Sequence, residues 1–333
     1  MLNRIFGLFR SSGKAKRDLS RAVLLVDMGA PDSQEEYRLY LERLFSDPDV
    51  LPAPRPIRWW IRRRIVAKRL VPGWRRYVAN GLSPLKRAVA ALARSLSAEL
   101  DGMQVGAAYT FAEPQIPETI AKFEKMGVRE LVVVPLHPHS CRASRGAMRR
   151  RIDAVPPSRT MRIDVVPPYG DNPLFVRFWE RLVKEAAYAN RMERPHLLFS
   201  AHGIPLSYLK KGETYLDEVR ASCEAIGLSL GLEWSLAFQS AMGRGKWTTP
   251  SVVDELTRLE KSGAKEVLIA PVTFLAENLE TIADLGSELD RSRWPGLKIS
   301  RVLLPDGSTP CPAQKELNEL LVSLCKNAQS QDT

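Results

Sequence analysis

The sequence predicts an α/β protein of two similar lobes, each a parallel sheet flanked by helices, with the strand ends of both lobes facing one cleft. Three features of the chain point that way. Short apolar runs alternate with helix-length amphipathic stretches, the pattern of a parallel α/β sheet. Two blocks also align without gaps 136 positions apart, PQIPETIAKFEKMGVRELVVVPL from Pro114 and PSVVDELTRLEKSGAKEVLIAPV from Pro250. Generic helix-then-strand patterning explains their apolar matches. It does not explain Glu124-Lys125 with Glu260-Lys261, Gly127 with Gly263, and Pro135 with Pro271, all at one spacing. Finally, Met28-Gly29-Ala30-Pro31 corresponds to His202-Gly203-Ile204-Pro205 at a spacing of 174. Met28 and His202 are then expected on opposite walls of the cleft.

Arg21 to Met28 reads as the first strand, with Gly29–Ser33 as its exit loop. Asp32 or Ser33 can cap a helix over Gln34–Phe45, which Ser46-Asp47-Pro48-Asp49 breaks. Arg55–Tyr77 interleaves Trp59, Trp60 and Trp74 with many arginines. It is either an exposed surface for a membrane or ligand, or an amphipathic helix with its tryptophans in the core. Ser83-Pro84 starts a helix running to about Leu100. Strand Val105–Phe111, helix Ile116–Met126 and strand Glu130–Pro135 follow. A loop over His137–Gly146, a basic helix Ala147–Ala154 and strand Met161–Val166 come next. Helix Leu174–Ala189 leads into Leu197–Pro205, LLFSAHGIP, an apolar run broken by Gly and Pro like a buried strand entering a loop. The second half repeats the plan with helix Tyr215–Ile226, strand Trp234–Gln239, helix Val252–Lys261 and strand Glu266–Pro271. Helix Glu280–Leu289, strand Leu297–Leu303 and helix Pro312–Asn327 close the chain.

The 333 residues are expected to divide into a basic tail over 1–20, a first lobe over 21–175, a second over 176–310, and a C-terminal helix and tail over 311–333. The net charge of +11 points to an anionic partner. The clusters Arg62-Arg63-Arg64, Lys68-Arg69, Arg75-Arg76 and Arg149-Arg150-Arg151 carry it. Zinc-finger spacing and nucleic-acid motifs are absent, so nucleic acid is not an expected partner. The four cysteines, Cys141, Cys223, Cys311 and Cys325, form no CxxC pair and suit a reducing compartment, hence the cytoplasm. The chain has no apolar stretch of about 18 residues to span a membrane. MLNRIFGLFR lacks the apolar core and cleavage site of a signal peptide; it reads as a surface-lying amphipathic segment or a frayed tail.

In an open α/β sheet, ligands sit beyond the carboxyl ends of the strands, where His202 would be delivered. A structural histidine is the alternative. The helix after Pro271 carries Glu280, Asp284 and Glu288 at a spacing that shares one face. Like charges on one face either stay solvated or face cations. With His202 they can bind a divalent ion such as iron, zinc or cobalt. Two ligands make an open site, which favours a metal that passes through. The expected lining of the cleft, Met28, Phe111, Trp247 and Phe274, suits a flat hydrophobic ligand.

The sequence resembles the ferrochelatase family over roughly Val23 to Leu320. LLVDMGAPDS and RLFSDPDVL are similar to the family's opening strand, loop and helix, and Gly81–Leu85 to its G-S-P-L turn. Phe199–Pro205 carries the most specific signature, followed by Lys211–Tyr215. Phe238-Gln239-Ser240 with Gly243–Trp247, and Pro271–Phe274 with Glu277–Thr281, resemble the F-Q-S…W and P-x-x-F…[DE]-H-x-E-T motifs. The resemblance implies two Rossmann-like lobes around a porphyrin cleft and insertion of Fe2+, as substrate, into protoporphyrin IX or coproporphyrin III for haem synthesis. It implies His202 as metal ligand and base, Glu280 as its partner, and Asp284 and Glu288 along an acidic path. Met28, Trp247 and Phe274 would line the cleft. Arg55–Tyr77 becomes the cleft lip, which touches lipid in membrane-associated members, here at the inner face of the membrane. Neither a nucleotide nor an iron–sulfur cluster is expected, since Cys311 and Cys325 do not match the cluster pattern. Where the family has His in the [DE]-H-x-E-T motif this chain has Asn278. Thr110-Phe111 replaces an Arg-Tyr pair, His137-Pro138-His139-Ser140-Cys141 stands at the Y-P-Q-Y-S loop, and Gly286 replaces an acid. These departures leave open a chelatase for another metal or tetrapyrrole, or a porphyrin-binding homologue without catalysis.

Overall fold

The computed structural model describes residues 20–79, 82–100, 103–156, 158, 160–209, 212–241, 245–289 and 291–328. Residues 1–19 of the expected N-terminal tail, Gly81, Lys211 and Gly243 lie outside them. Two four-stranded, wholly parallel sheets form the frame. The first holds β1 (Arg21–Asp27), β2 (Gln104–Tyr109), β3 (Glu130–Pro135) and β4 (Arg162–Val165) in the order β2-β1-β3-β4. The second holds β5 (His196–His202), β6 (Trp234–Gln239), β7 (Glu266–Ala270) and β8 (Lys298–Arg301) in the order β6-β5-β7-β8. The orders are the same, and so is the register: Leu24 pairs with Val133 as Leu198 pairs with Ile269. These pairs reproduce the 174 and 136 spacings.

The duplicated blocks fold alike in detail. Helices α4 (Ile116–Lys125) and α9 (Val252–Lys261) each start one residue after the equivalent Gln115 and Ser251. Each helix ends at a glycine with positive φ, Gly127 at 85° and Gly263 at 88°. Val128 donates to the Phe123 carbonyl and Ala264 to that of Leu259, closing both turns the same way. Each helix then feeds a central strand buried on both faces, as parallel sheets require.

Alternation along the strands sorts the core. Ala22, Leu24 and Val26 join Ile116, Ile120 and Phe123 on the outer face of the first sheet. Leu198 joins Val252, Leu256 and Leu259 on the outer face of the second. The inner residues Val23, Leu25, Leu197 and Phe199 share one core with α3 (Leu85–Glu99), α6 (Pro173–Ala189), α8 (Tyr215–Leu230) and α11 (Gln314–Asn327). The lobes are thus joined by continuous packing. A fourth cluster lies outside the sheets. Tyr37 and Leu41 of α1 (Gln34–Leu44), with Phe45, pack against Val66 of α2 (Arg55–Ala79). Ser33 caps α1 by accepting from Glu36 N. Helix α5 (Ala147–Asp153) is tied to the turn after α1 by Arg150, which pairs with buried Asp47 at 2.5 Å and with Asp49. Among the described residues, no helix is long and apolar enough to cross a membrane.

A short helix, α7 (Leu206–Leu209), forms where none was expected, and two expected segments take another form. The loop expected over Ser140–Gly146 contains a π-helical turn, Arg142–Gly146. The helix expected over Glu280–Leu289 begins as a π-helical turn, Glu280–Asp284, before α10 (Leu285–Glu288). Both follow the third strand of their lobe.

Candidate active site in the cleft between the lobes

A cleft of about 600 Å³ opens beyond the carboxyl ends of the strands. The first lobe contributes Asp27, Met28, Tyr40 and His137; the second contributes His202, Phe274, Asn278 and Glu280. A smaller chamber of about 80 Å³, sharing Met28, His137, His202, Phe274 and Glu280, lies against it and adds His139, Cys141 and Tyr215. Strand exits therefore bring Met28, His202, Phe274 and Glu280 together.

His202 is the last residue of β5 and about one third exposed. Its Nδ1 lies 2.6 Å from the Gly203 carbonyl oxygen. A carbonyl only accepts, so Nδ1 carries the hydrogen and donates. In the neutral imidazole Nε2 then presents a lone pair. Nε2 faces Glu280 Oε2 at 3.5 Å. Two acceptors at that separation repel until a proton or a cation stands between them. The Tyr215 hydroxyl donates to the His202 carbonyl at 2.9 Å and fixes the strand exit.

Glu280 opens the π turn, and Asn278 organises that turn. Asn278 Oδ1 accepts from Glu280 N at 2.8 Å and from Thr281 N at 3.1 Å. Thr281 in turn donates to buried Glu277, whose other oxygen holds Arg301 at 2.7 Å and Leu304 N at 2.9 Å. Glu277 thus anchors the segment to β8 and the strand exit. The i, i+4 spacing inferred for Glu280 and Asp284 crosses a wider turn than an α-helix has. The side chains of Asp284 and Glu288 lie outside the described residues.

Two expected lining residues stand elsewhere. Phe111 is fully buried, edge-on to Tyr40 at 6.3 Å. It supports the cleft wall from behind, because the chain after β2 turns inward: Phe111 N donates to the Met28 carbonyl. Trp247 is half-buried and bridges to Pro205, its ring against Gly203. It backs the His202 loop and is not among the described residues lining the cleft.

Tyr40 and Asp27 line the cleft without having been singled out for it, while His137, read from the sequence as either a substitute polar contact or a solvent loop residue, lines it too. Burial, reinforced by Glu280, Tyr77 and Asp27, raises the Tyr40 phenol far above its ordinary range, so it remains a donor. Its signal was hidden because Tyr37, Tyr40, Leu41 and Leu44 read as an ordinary apolar helix stripe. His137 Nε2 lies 3.9 Å from Asp27 Oδ1. Burial lowers the His137 pKa, Asp27 opposes this, and Arg145 adds to the lowering. His139 pairs through Nε2 with Ser222 Oγ at 2.8 Å, and burial brings its pKa down to about 3. Burial pushes the Cys141 thiol up to about 11.

At the mouth, α2 carries nine Lys and Arg and no Asp or Glu. Ile57, Trp59 and Trp60 are each about half exposed, with Arg63 over the Trp59 ring and Arg64 over that of Trp60. Trp74 alone of the three tryptophans turns inward, stacking on Tyr77 at 5.6 Å.

A model of the ferrochelatase family matches residues 20–302. A ferrochelatase of Geotalea uraniireducens is 32% identical over 273 residues, covering 79% of this chain and 85% of that protein. One of Hyphomonas neptunium is 31% identical, covering 80% and 77%. Among solved structures, SirB from Bacillus subtilis with Fe3+ superposes with a TM-score of 0.56 at 14% identity, covering 94% of this chain and 98% of that one. That last likeness concerns the fold alone. With the family match spanning both sheets and the cleft between them, the chain belongs to the ferrochelatase family.

Proposed function

We propose that this protein inserts Fe2+ into a porphyrin, protoporphyrin IX or coproporphyrin III, in haem biosynthesis. The observation that carries the reading is the His202 Nε2 lone pair facing the Glu280 carboxylate at 3.5 Å within the cleft. A porphyrin must lose two N–H protons as the metal enters. With Nδ1 donating to the Gly203 carbonyl, His202 Nε2 is the nitrogen placed to accept one. The same pair can hold the incoming cation. A first-row divalent ion with bonds of about 2.1 Å to each donor fits an open angle between them, leaving its remaining positions for ring nitrogens. Glu280 balances the positive charge in either state. Met28, Phe274 and Tyr40 supply the apolar walls for the flat ring, and Phe111 and Trp247 stiffen those walls from behind. The reading keeps Asp284 and Glu288, which follow Glu280 in the sequence, as a path for cations and protons.

The reading also takes α2 as a peripheral contact with the anionic inner face of a membrane. Exposed Ile57, Trp59 and Trp60 would enter the headgroup layer, where arginines pair with anionic lipid. Substrate and product are apolar rings, and the lip would exchange them with the bilayer beside the cleft.

The test is anaerobic insertion by the purified protein, offering Fe2+ with protoporphyrin and coproporphyrin. We expect metalation of at least one, and a His202→Ala variant slowed by about a hundredfold or more. Porphyrin binding without metalation would establish a binding protein instead. Metalation of only a sirohydrochlorin-type ring would establish a different chelatase. For the lip, flotation with anionic liposomes at low salt should carry the protein up, and Trp59→Ala with Trp60→Ala should abolish it.

A further inference from the structure

We infer that His137, backed by Asp27, is a second catalytic residue: it accepts a pyrrole proton from the first-lobe side of the cleft, as His202 does from the second. The inference rests on the reading that the cleft takes a porphyrin. The chemistry demands two deprotonations, and a single imidazole takes one proton at a time. The fold supplies a second imidazole by the device that supplies the first. Asp27 is the last residue of β1, and His137 follows the end of β3 by two positions. His202 is the last residue of β5, and Glu280 lies beyond the exit of β7. Each lobe thus presents one imidazole with one carboxylate at the exits of its two central strands.

His137 lines both the cleft and the chamber beside His202. Its side chain and that of Asp27 are each more than four-fifths buried, so the pair is shielded from bulk solvent. The separation of 3.9 Å is too long for a hydrogen bond. It is short enough for a carboxylate to stabilise an imidazolium once it forms. Asp27 is held ready by Met28 N, which donates to its Oδ1 at 2.6 Å. The charged group on the other side is Arg145, whose guanidinium donates to the His137 carbonyl at 2.8 Å and to that of Val166. Burial, with a smaller push from Arg145, lowers the imidazole pKa and favours its neutral form beforehand. The Tyr40 and Tyr109 phenols near Asp27, raised by burial, stay protonated and add no charge of their own.

The step balances within these groups. The pyrrole N–H bond breaks and its electron pair stays on the ring nitrogen. A new N–H bond forms on His137, and Asp27 offsets the imidazolium charge. From there the proton leaves through the open cleft.

The test compares wild type, His137→Gln, His137→Phe and Asp27→Asn in Fe2+ insertion, with porphyrin affinity read separately by fluorescence. Both His137 variants should lose about tenfold or more in kcat while the porphyrin Kd moves by less than about threefold. Asp27→Asn takes away the carboxylate that stabilises the imidazolium and should lower kcat while the porphyrin Kd stays within about threefold. Full kcat in both His137 variants would overturn the inference. So would a kcat loss matched by an equal loss of affinity, since His137 would then only shape the cleft. Should the His137 variants fail to fold, full kcat in Asp27→Asn overturns it. A wild-type protein that metalates nothing would instead remove the functional reading beneath it.

Discussion

Asn278 shows what one side chain does to a candidate catalytic carboxylate. The family resemblance expects a histidine at this position; the structure gives it the work of a cap. Its Oδ1 holds the backbone N–H groups of Glu280 and Thr281, so it sets the direction in which Glu280 leaves the chain. Losing such a cap costs about 1 kcal/mol. Asn278→Ala should lower the unfolding free energy by about that amount in urea titration and slow metal insertion by about tenfold. Asn278→Asp, which keeps the acceptor, should retain most of the insertion rate. If both variants behave as wild type, Glu280 is positioned by Glu277 and Thr281 alone. At this scale the chain was readable where chemistry and chain direction coincide: Met28, His202 and Phe274 leave strand ends directly toward the cleft. Phe111 and Trp247 were harder, because each is aromatic and near a strand exit in sequence. Which side of the wall an aromatic ring occupies depends on packing against Tyr40 and Gly203, partners far away along the chain.

Among the elements, the duplicated helix–turn–strand blocks make a sharper test. Gly127 and Gly263 occupy the same left-handed backbone region, and a Cβ added at either would meet nothing within 4 Å. An alanine there has no steric clash to relieve, so its cost is the backbone alone, about 1–2 kcal/mol. Gly127→Ala and Gly263→Ala should therefore destabilise the protein equally, within a few tenths of a kcal/mol. Unequal values would show that the two turns, alike in sequence and geometry, differ in the cooperative unit they support. This equivalence was legible because glycine, proline and the Glu-Lys pair recur at one spacing. The π-helical turns were not. A run such as Glu280–Leu289 has ordinary α-helical composition, and its widened first turn follows from tertiary anchors, Glu277 to Arg301 and Asn278 to the turn's N–H groups. For α2, the basic and aromatic pattern left two readings open. Each describes part of the helix: Trp59 and Trp60 face outward, while Trp74 packs inward beside the cluster of Tyr37, Leu41 and Val66.

For the molecule as a whole, the shared inner core makes the lobes one folding unit, and His139 sits on their junction. It comes from the loop after β3, yet bonds Ser222 on α8, which also donates to the Gly170 carbonyl. Its Nδ1 is buried without a hydrogen-bond partner, and burial holds its pKa near 3. The folded protein therefore refuses a proton that the unfolded chain takes up near the ordinary value of 6.5. A folded-state pKa below the unfolded one means stability falls as pH drops below about 6.5, by on the order of 1 kcal/mol per pH unit for one such group. His137 and His196, also lowered by burial, add to the same slope. The carboxylates with lowered pKa, Glu36, Glu255 and Asp306, act in the same direction only below their ordinary range. Glu213, whose pKa burial raises, acts the other way, but equally in wild type and in a His139 variant, so the difference between the two from about pH 6.2 to 5.2 reports His139. His139→Gln keeps a polar group for Ser222 and cannot titrate. Its unfolding free energy should fall less steeply than wild type across that interval, by about 1 kcal/mol per pH unit. Tryptophan fluorescence and circular dichroism should report one coincident transition, because no lobe can open without exposing the common core. Parallel slopes in the two proteins would mean that His139 takes its proton without the lobes separating, and that the junction tolerates a charge its burial should forbid.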